Sequence, residues 1–344
     1  MSTIPDPKKA HLRYVSDTTA GYSRQKMGNG FSYFYTNGKR IIDSVIRDRI
    51  EKLAIPPAWT DVWICSLDYG HIQATGRDEK GRKQYIYHPE WNKLCQETKF
   101  QKLTSFGEML PALRRQIRDR IAERGLAKEK VIATVIWLLQ KTFIRVGNPE
   151  YAKENNSYGL TTMKPRHVDV VGDTIQFEFM GKSGKRHKVD VTHPRVARTI
   201  RKLEELPGYE LFQYVAEDGS RHTITSEEVN DYLKSATGEE ITAKDFRTWG
   251  GTVIGAETLY DLGAFTSETN AKKNIVQAVK QVSLELGNTT AICRSYYIHP
   301  TVIESYEKEI LIPHFELVRK NQEEKPNELT IGEFATFTLL KKYK

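Results

Sequence analysis

The sequence has few cysteines, no long apolar run and no sign of an export signal. Its three cysteines, Cys65, Cys95 and Cys293, have neither an even count nor metal-site spacing, which favours reduced thiols in a cytosol. The N-terminus lacks the apolar core of a signal peptide. The longest apolar stretch, from Val131 to Leu139, is interrupted and too short to span a bilayer. Internal repeats, Walker-type loops, zinc spacings and acidic metal clusters are also absent, so no motif indicates a bound nucleotide or metal.

Positive charge is abundant in a chain whose core composition is ordinary. The 344 residues contain 52 lysines and arginines against 44 acidic residues, a net charge of +8, and 39% of the residues are apolar. This length and composition suit two domains, or one large domain with a satellite. The basic balance favours a polyanionic partner, although charge alone does not choose between nucleic acid and a membrane surface.

The first 95 residues predict a small β-rich domain. Strand-like runs begin at Phe31, Asp61, Ile72 and Gln84, with Asn-Gly and Lys-Gly turn signals between runs. One helix is predicted from about Asp43 to Leu53. This segment holds 15 lysines and arginines against 10 acidic residues, so much of the excess positive charge lies here.

One turn in this domain combines basic and aromatic side chains. It carries Arg77, Lys80, Arg82 and Lys83, and alternation along the next strand places Tyr85 and Tyr87 on one face. Cations that neutralise phosphates, beside phenols that donate to phosphate or stack on bases, suit a nucleic-acid surface. A solvated turn with half-buried tyrosines has the same composition, so composition leaves both interpretations open.

From about Leu110 the apolar period becomes helical. Helices are predicted at 110–121, 130–145, 194–203, 225–236, from 242, at 271–286 and at 301–311. A β-ribbon is predicted from Val168 to Val191, with Lys182 at a hairpin tip. The paired glycines Gly250 and Gly251 each weaken their helix by about 1 kcal/mol relative to alanine, which predicts the close approach of another element or a ligand. Residues 322–344 read as a polar linker and an apolar-basic tail.

The stretch from Gly287 to Pro300 carries two adjacent tyrosines, Tyr296 and Tyr297, and Asn288 lies nine residues before the second. A tyrosine hydroxyl is a poor nucleophile at neutral pH and needs help from its surroundings. The chain has 17 tyrosines, and packing is the ordinary role of any one of them. A catalytic role for one of these tyrosines therefore needs support from residues in other segments.

Four further side chains could provide those surroundings: Arg145, Lys182, Arg247 and Asn288. Phosphoryl transfer needs charge stabilisation on non-bridging oxygens, protonation of the leaving oxygen and a positioned nucleophile. Arginines form planar forks on phosphate oxygens, a lysine can deliver a proton, and an asparagine can donate a hydrogen bond. These residue types suit phosphodiester chemistry without a metal or other cofactor.

Taken together, the segments resemble the type IB DNA topoisomerases, in the branch of small poxvirus-like and bacterial enzymes. The matching motifs are Thr142-Phe-Ile-Arg-Val-Gly, Gly159-Leu-Thr-Thr, Gly181-Lys, Lys244-Asp-Phe-Arg-Thr-Trp-Gly, Leu286-Gly-Asn-Thr-Thr, Ser295-Tyr-Tyr-Ile-His-Pro and the strand pair from Gly76 to Tyr87. The resemblance extends over residues 25–310 in family order.

The resemblance implies an α+β fold. A small N-terminal antiparallel β-rich domain and a larger, mainly α-helical catalytic domain with a three-stranded β-ribbon would form a clamp around duplex DNA. We place the domains at residues 1–95 and 96–321, and treat 322–344 as a C-terminal tail of unknown role. The protein would act as a monomer in the cytoplasm, associated with the nucleoid.

The implied activity is relaxation of supercoiled duplex DNA. A tyrosine attacks a phosphodiester to give a 3′-phosphotyrosyl link and a free 5′-hydroxyl, the nicked duplex swivels, and the hydroxyl reseals the strand. Neither ATP nor a metal is required, because the phosphotyrosyl bond conserves the energy of the broken link.

The family roles carry over to this chain by position. Arg145 and Arg247 would clamp the scissile phosphate. Lys182 would be the general acid, relayed with Arg145, and Asn288 would donate to a non-bridging oxygen. Tyr297 would be the nucleophile, because it directly precedes Ile-His-Pro. The DNA contacts would be Arg77, Lys80, Arg82, Lys83, Gln84, Tyr85, Tyr87, Tyr151 and Lys244.

The chain departs from the poxvirus pattern at three positions. Asn288 stands where the viral enzymes carry histidine, and Asn148 and Glu150 replace two lysines that contact DNA. These changes weaken any inference that the chain shares the viral preference for a pentapyrimidine site.

Three other functions compete with this interpretation. A tyrosine recombinase has a related catalytic fold and nucleophile, but usually presents histidine where this chain has Lys244. A catalytically idle basic DNA-binding protein would not need five intact site residues. A metal-dependent nuclease is disfavoured because the sequence lacks a carboxylate cluster.

Overall fold

The computed structural model describes residues 5–321, 323 and 325–343. Its chain divides into two units, with the division between Phe100 and Gln101. The first unit is built on an antiparallel sheet, and the second is mainly helical with a separate β-ribbon. The α+β fold predicted from the sequence is therefore confirmed.

The first unit contains a five-stranded antiparallel sheet in the order β2-β1-β3-β4-β5. Its strands are β1 Tyr22–Met27, β2 Gly30–Phe34, β3 Thr60–Ile64, β4 Ile72–Arg77 and β5 Lys83–Tyr87, and its helix is α1 Ser44–Lys52. Four strands and the helix match the predicted runs, whereas β1 was not predicted. In β1 only Tyr22 and Arg24 are partly buried, so the strand lacks the apolar alternation that would have marked it.

The core of this unit is small. It consists of Ile41, Ile50, Val62, Ile64 and Ala74, with three tyrosines, one tryptophan and further aliphatic side chains packed around them. In β5 the alternation faces Gln84 and Ile86 inward and leaves Lys83, Tyr85 and Tyr87 exposed. The sheet therefore displays the basic and aromatic face that the sequence predicts.

Eleven helices follow in the described residues. Helix α2, Pro89–Ala122, begins in the first unit and ends in the second. The others are α3 Lys128–Thr142, α4 Pro149–Asn155, α5 Pro194–Glu204, α6 Ser226–Thr237, α7 Ala243–Leu262, α8 Glu268–Leu286, α9 Thr290–Tyr296, α10 Pro300–Glu307, α11 Leu311–Lys320 and α12 Ile331–Lys342. The predicted capping box of Thr225 and Glu228 opens α6, with both reciprocal hydrogen bonds formed.

The predicted β-ribbon is confirmed as a three-stranded antiparallel sheet. Its strands are β6 Val168–Val171, β7 Thr174–Gly181 and β8 Lys185–Thr192, and Lys182 lies in the β7–β8 connection. A short two-stranded sheet, β9 Gln213–Val215 with β10 Arg221–Thr223, lies elsewhere in the unit. The β7–β8 ladder extends to the pair Gly181 and Lys185, so Lys182 directly follows the last paired residue of β7.

The paired glycines of α7 confirm the close approach predicted from the sequence. A side chain on Gly250 would meet the ring of Phe143, and one on Gly251 would lie 2.7 Å from the carbonyl oxygen of Tyr297. Both glycines are buried within α7. Two segments that reach the candidate site therefore pack directly on the backbone of this helix.

The prediction that Arg145 ends a helix is wrong. Helix α3 stops at Thr142, because Phe143 adopts the left-handed conformation with φ 52° and caps it. Packing of the Phe143 ring against Gly250 accompanies this unusual backbone. Arg145 lies in the following irregular segment, where its carbonyl accepts a hydrogen bond from the amide of Leu160 at 2.9 Å.

The segment predicted as a linker and tail instead contains helix α12 within the second unit. Thr330 and Glu333 form a capping box at its start, and Ala335 and Leu339 belong to the apolar core. The carboxylate of Glu333 pairs with Arg114 of α2 at 2.7 Å and accepts from the Trp249 indole at 3.2 Å. This largely buried ion pair links the C-terminal helix to α2 and α7.

We expect Glu333→Ala to destabilise the second unit by about 3–5 kcal/mol, because it leaves the largely buried guanidinium of Arg114 without its carboxylate. The matched control is Glu108→Ala, which removes an exposed ion pair with Lys341 and should change stability by at most about 1 kcal/mol. Denaturant unfolding measures both variants. Equal losses of free energy of unfolding would contradict the role assigned to the Arg114–Glu333 pair.

Candidate active site

Tyr297 lies directly after helix α9, and its backbone is fixed from two sides. Its amide donates to the carbonyl of Cys293 at 2.9 Å, and its carbonyl accepts from the Thr252 hydroxyl at 3.2 Å. The phenol is partly buried, whereas the neighbouring Tyr296 is 43% exposed. The two adjacent tyrosines therefore occupy different environments, and the backbone of Tyr297 is anchored to α7.

Arg247 contributes a buried guanidinium beside this phenol. The residue is 4% exposed, and its Cζ atom lies 5.4 Å from the ring centroid of Tyr297. Its guanidinium donates to the carbonyl of Leu286 at 2.7 Å and to the carbonyl of Phe143. Within the described residues no carboxylate forms an ion pair with Arg247, so carbonyl dipoles hold the cation without neutralising it.

Arg145 and Asn288 meet at the same site. A nitrogen of the Arg145 guanidinium donates to the side-chain oxygen of Asn288. Asn288 follows Gly287, which caps α8 in the left-handed conformation at φ 63°. The Asn288 carbonyl accepts from the Ser283 hydroxyl at 2.8 Å, which fixes the turn that carries this side chain.

Two donor atoms in this cluster are buried without a hydrogen-bond partner among the described residues: Asn288 Nδ2 and Arg247 Nε. An unsatisfied buried donor is destabilising by about 1–3 kcal/mol, so proteins rarely retain one without reason. Because the Asn288 oxygen is taken by Arg145, its amide nitrogen is left to donate elsewhere. The cluster is therefore arranged to receive an oxygen-rich anion.

The electrostatics of the site favour a reactive phenol. Burial raises the pKa of Tyr297, but the charges of Arg247 and Arg145 oppose it. Lys244, one turn before Arg247, acts in the same direction, and the net result is a pKa below the ordinary value for tyrosine. Burial also lowers the pKa of Arg145 and of Arg247, yet arginine remains protonated in proteins.

Lys182 is exposed in the β7–β8 connection. It lines an open cleft of about 430 Å³ together with Arg145, Tyr151 and the substituted positions Asn148 and Glu150. The structure thus brings Lys182 to the same cleft as Arg145. Of the other four predicted catalytic side chains, Arg145 contacts Asn288 and Arg247 contacts Tyr297. The charges of both arginines act on the Tyr297 phenol.

Of the predicted DNA contacts in the first unit, Lys83, Tyr85 and Tyr87 share one exposed face of β5, whereas Gln84 faces inward. Tyr85 and Tyr87 are 44% and 37% exposed, and their rings stack with centroids 5.8 Å apart. The ammonium of Lys83 lies 5.6 Å from the Tyr85 ring centroid. The aromatic row continues through His71, whose ring stacks on exposed Tyr14 at 4.2 Å. Sequence reasoning missed Tyr14, because it lies in an irregular N-terminal segment.

Most basic side chains of this turn have acidic partners. Arg82 pairs with Asp78 at 2.7 Å, and Lys83 pairs with Asp17 at 2.6 Å. The Arg82 hydrogen bond lowers the pKa of Asp78 to about 2. Gln84 also donates to Asp78, at 2.9 Å. Arg77 lies 3.6 Å from Asp61, and Lys80 is exposed. The turn is therefore a network that orders its cations.

Within the described part of the chain, no group of three or more His, Cys, Asp or Glu side chains is placed to hold a metal ion. The helices in that part are also too short or too polar to cross a membrane.

Two family models match the chain. The model described as eukaryotic DNA topoisomerase I, catalytic core, matches residues 89–324. The model described as bacterial DNA topoisomerase IB, N-terminal domain, matches residues 30–78. Both matches agree with the resemblance that the motifs indicate.

Similar proteins match over most of their length. The chain is 33% identical to DNA topoisomerase 1B of Acanthamoeba polyphaga mimivirus over 317 residues, which cover 88% of this chain and 91% of the viral protein. It is 24% identical to DNA topoisomerase 1B of Vaccinia virus (strain Copenhagen) over 79% of this chain and 88% of the relative. The identity to DNA topoisomerase 1 of Rabbit fibroma virus is 26%, over 74% and 80% of the two chains. The chain belongs to the type IB DNA topoisomerases.

Proposed function

We propose that this protein relaxes supercoiled duplex DNA by cutting and resealing one strand through a covalent link to Tyr297. The observation that carries the proposal is the cluster of Arg145, Arg247 and Asn288 at this phenol, with the buried amide nitrogen of Asn288 unpartnered. A phosphodiester supplies the anionic oxygens that these donors lack.

The chemistry follows from the residue types. The Tyr297 oxygen attacks phosphorus and forms a P–O bond, while the bond from phosphorus to the 5′ oxygen breaks. The phenol loses a proton and the leaving 5′ oxygen gains one, so the step conserves charge and protons. The strand ends are then a 3′-phosphotyrosine and a 5′-hydroxyl, and attack by that hydroxyl reverses the step.

The arginines and Asn288 stabilise the transition state. Charge accumulates on the two non-bridging oxygens as the pentavalent phosphorus forms. Arg145 and Arg247 offer planar donors to these oxygens, and Asn288 Nδ2 adds a neutral one. The lowered pKa of Tyr297 supports attack by a phenol that loses its proton readily.

Lys182 is the general acid for the leaving 5′ oxygen. An alkoxide is a poor leaving group, and proton delivery by a positioned side chain accelerates such steps by about 10²–10⁴-fold. The position of Lys182 in the cleft with Arg145 supports a relay between the two residues.

Binding of the duplex rests on the exposed basic and aromatic residues. Tyr85, Tyr87 and their basic turn would contact the backbone from the first unit, and Tyr151 and Lys244 from the second. Ordered cations lose less conformational freedom on binding, which supports a role for the Asp78 network. The clamp around DNA, the monomeric state and the nucleoid location that the resemblance implies remain predictions.

Tyr297→Phe should abolish relaxation of a supercoiled plasmid while DNA binding stays nearly unchanged, because only the attacking oxygen is removed. Tyr296→Phe is the matched control and should relax DNA at the normal rate. Gel assays of relaxation and binding measure both variants. Activity retained by Tyr297→Phe but lost in Tyr296→Phe would reassign the nucleophile.

Lys182→Ala should slow single-turnover cleavage by about 10²–10⁴-fold on an ordinary phosphodiester. A duplex with sulfur in place of the 5′ bridging oxygen, at a mapped cleavage position, needs no proton on its leaving group. The variant should therefore cleave that duplex at nearly the normal rate. Equal slowing on both substrates would remove the acid role from Lys182.

Relaxation should persist in excess EDTA and without ATP, because the phosphotyrosyl bond conserves the energy of the broken link. Binding should weaken as salt increases, as expected for phosphate contacts. The same plasmid assay, run with and without added magnesium and ATP, measures this. Strict dependence on either addition would contradict the proposed chemistry.

A further inference from the structure

The ring of His187, on β8, lies against two glycines that precede proposed catalytic residues. A methyl group built on Gly181 would lie 2.5 Å from His187 Cδ2, and one built on Gly287 would lie 2.5 Å from Cε1. Real Cβ atoms do not approach neighbours so closely, so the ring occupies the space that both glycines leave. One imidazole therefore touches two separate backbone segments.

Each of these glycines is covalently joined to a site residue. Gly181 precedes Lys182 in the β7–β8 connection, and Gly287 precedes Asn288 after α8. The two segments are far apart in the sequence and belong to different elements. His187 is thus placed to fix the distance between Lys182, the general acid, and the side-chain amide of Asn288, which donates to the phosphate oxygen.

The ring itself is held on the ribbon. His187 is the cross-strand partner of Phe179, and their rings stack with centroids 5.3 Å apart and planes 11° apart. Stacked aromatic pairs of this kind stabilise by about 0.5–1.5 kcal/mol beyond the area that they bury. The imidazole is therefore a fixed surface against which the turn at Gly287 rests.

The charge state of the imidazole suits this position. Burial lowers the pKa of His187, and the cations that face it, Arg145, Lys185 and Arg247, lower it further. The ring is therefore neutral at neutral pH. Its protonation would place another cation beside two guanidiniums that already share one site.

We propose that His187 is a positioning residue for DNA cleavage, which holds the Lys182 hairpin and the Asn288 turn in one arrangement. The inference rests on the proposed function, because it assigns His187 to the same cleavage step. It adds a side chain that does not touch the phosphate and that acts through two residues that do.

The first test compares His187→Ala with His222→Ala. His222 on β10 stacks on its cross-strand partner Tyr214 with the rings 5.3 Å apart, so the control removes a similar histidine pair elsewhere in the unit. We expect His187→Ala to slow single-turnover cleavage by about 10–100-fold, as small misplacements of catalytic groups do. The control should cleave normally, and DNA binding should be unchanged in both.

The leaving-group effect separates positioning from general loss of structure. If His187 places Lys182, the sulfur-substituted duplex should recover part of the loss in His187→Ala, as it does for Lys182→Ala. Equal slowing on the oxygen and sulfur substrates would overturn a role through Lys182.

Gly181→Ala provides an independent perturbation of the same contact. Its backbone, at φ −95°, accepts a side chain without strain, so the added methyl group conflicts mainly with the His187 ring. We expect Gly181→Ala to slow cleavage, and the double variant with His187→Ala to be no slower than the slower single variant. Additive losses would show that the two positions act separately.

The pH profile supplies a readout that a purely structural role would not change. Because the folded pKa lies below the ordinary 6.5, the ring is neutral above that value and gains charge only as the pH falls through the lowered pKa. Wild-type cleavage should lose rate in that range, and His187→Gln, which cannot titrate, should lack that component. Identical profiles would contradict the proposal, and this comparison decides the matter if His187→Ala does not fold.

The outcomes distinguish this inference from the proposed function. If wild-type protein forms no covalent adduct with DNA, the proposed function fails. If wild-type protein cleaves DNA, and both His187→Ala and Gly181→Ala cleave it at the wild-type rate, only the role of His187 fails.

Discussion

The site depends on holding a buried cation without cancelling its charge. The Arg247 guanidinium donates to the carbonyls of Phe143 and Leu286, which lie at the C-terminal ends of α3 and α8. Helix C-termini carry partial negative charge from unsatisfied carbonyls, so they stabilise a cation without forming an ion pair. A carboxylate partner would hold the arginine equally well, but it would repel a phosphodiester. The positive charge therefore remains available to the phenol and the phosphate.

The rest of the second unit positions those two helix ends. Phe143 reaches Arg247 because its ring packs on Gly250, and the Tyr297 backbone reaches the same helix beside Gly251. Helix α12 also packs on α7, and its Glu333 contacts Trp249 of α7 and Arg114 of α2. The glycines of α7 thus weaken the helix but allow Phe143 and Tyr297 to pack against its backbone. A charged site assembled before DNA arrives needs little reorganisation during the reaction.

The sequence predicts the elements better than the contacts between them. The ribbon, the capping box at Thr225 and the close approach at Gly250 all follow from local chemistry, and the structure confirms them. The left-handed Phe143 could not be predicted, because its conformation depends on packing against a residue far along the chain. Helix α12 was missed although a local capping box of Thr330 and Glu333 marks its start. The sequence could not show the ion pair of Glu333 with Arg114 of α2, over 200 residues away.

In the candidate site, too, the sequence predicts the residues but not the contacts that hold them. Motif positions predicted Tyr297, Arg145, Arg247 and Asn288, and the structure places Arg145 against Asn288 and Arg247 against Tyr297. It was not possible to see from the sequence that carbonyls hold Arg247, or that His187 lies between two site segments. Both facts depend on contacts between segments that lie far apart in the sequence, so no local pattern shows them.

DNA relaxation by this protein requires that the Tyr297 oxygen form a reversible bond to phosphorus at the 3′ side of a break. Denaturing the protein during relaxation of a plasmid should trap the covalent complex, and peptide mapping should then locate the attached nucleotide. The expected result is a phosphotyrosine at Tyr297 on the 3′ strand end, with a free 5′-hydroxyl on the other side. An adduct on another residue, or a link to the 5′ end, would contradict the account.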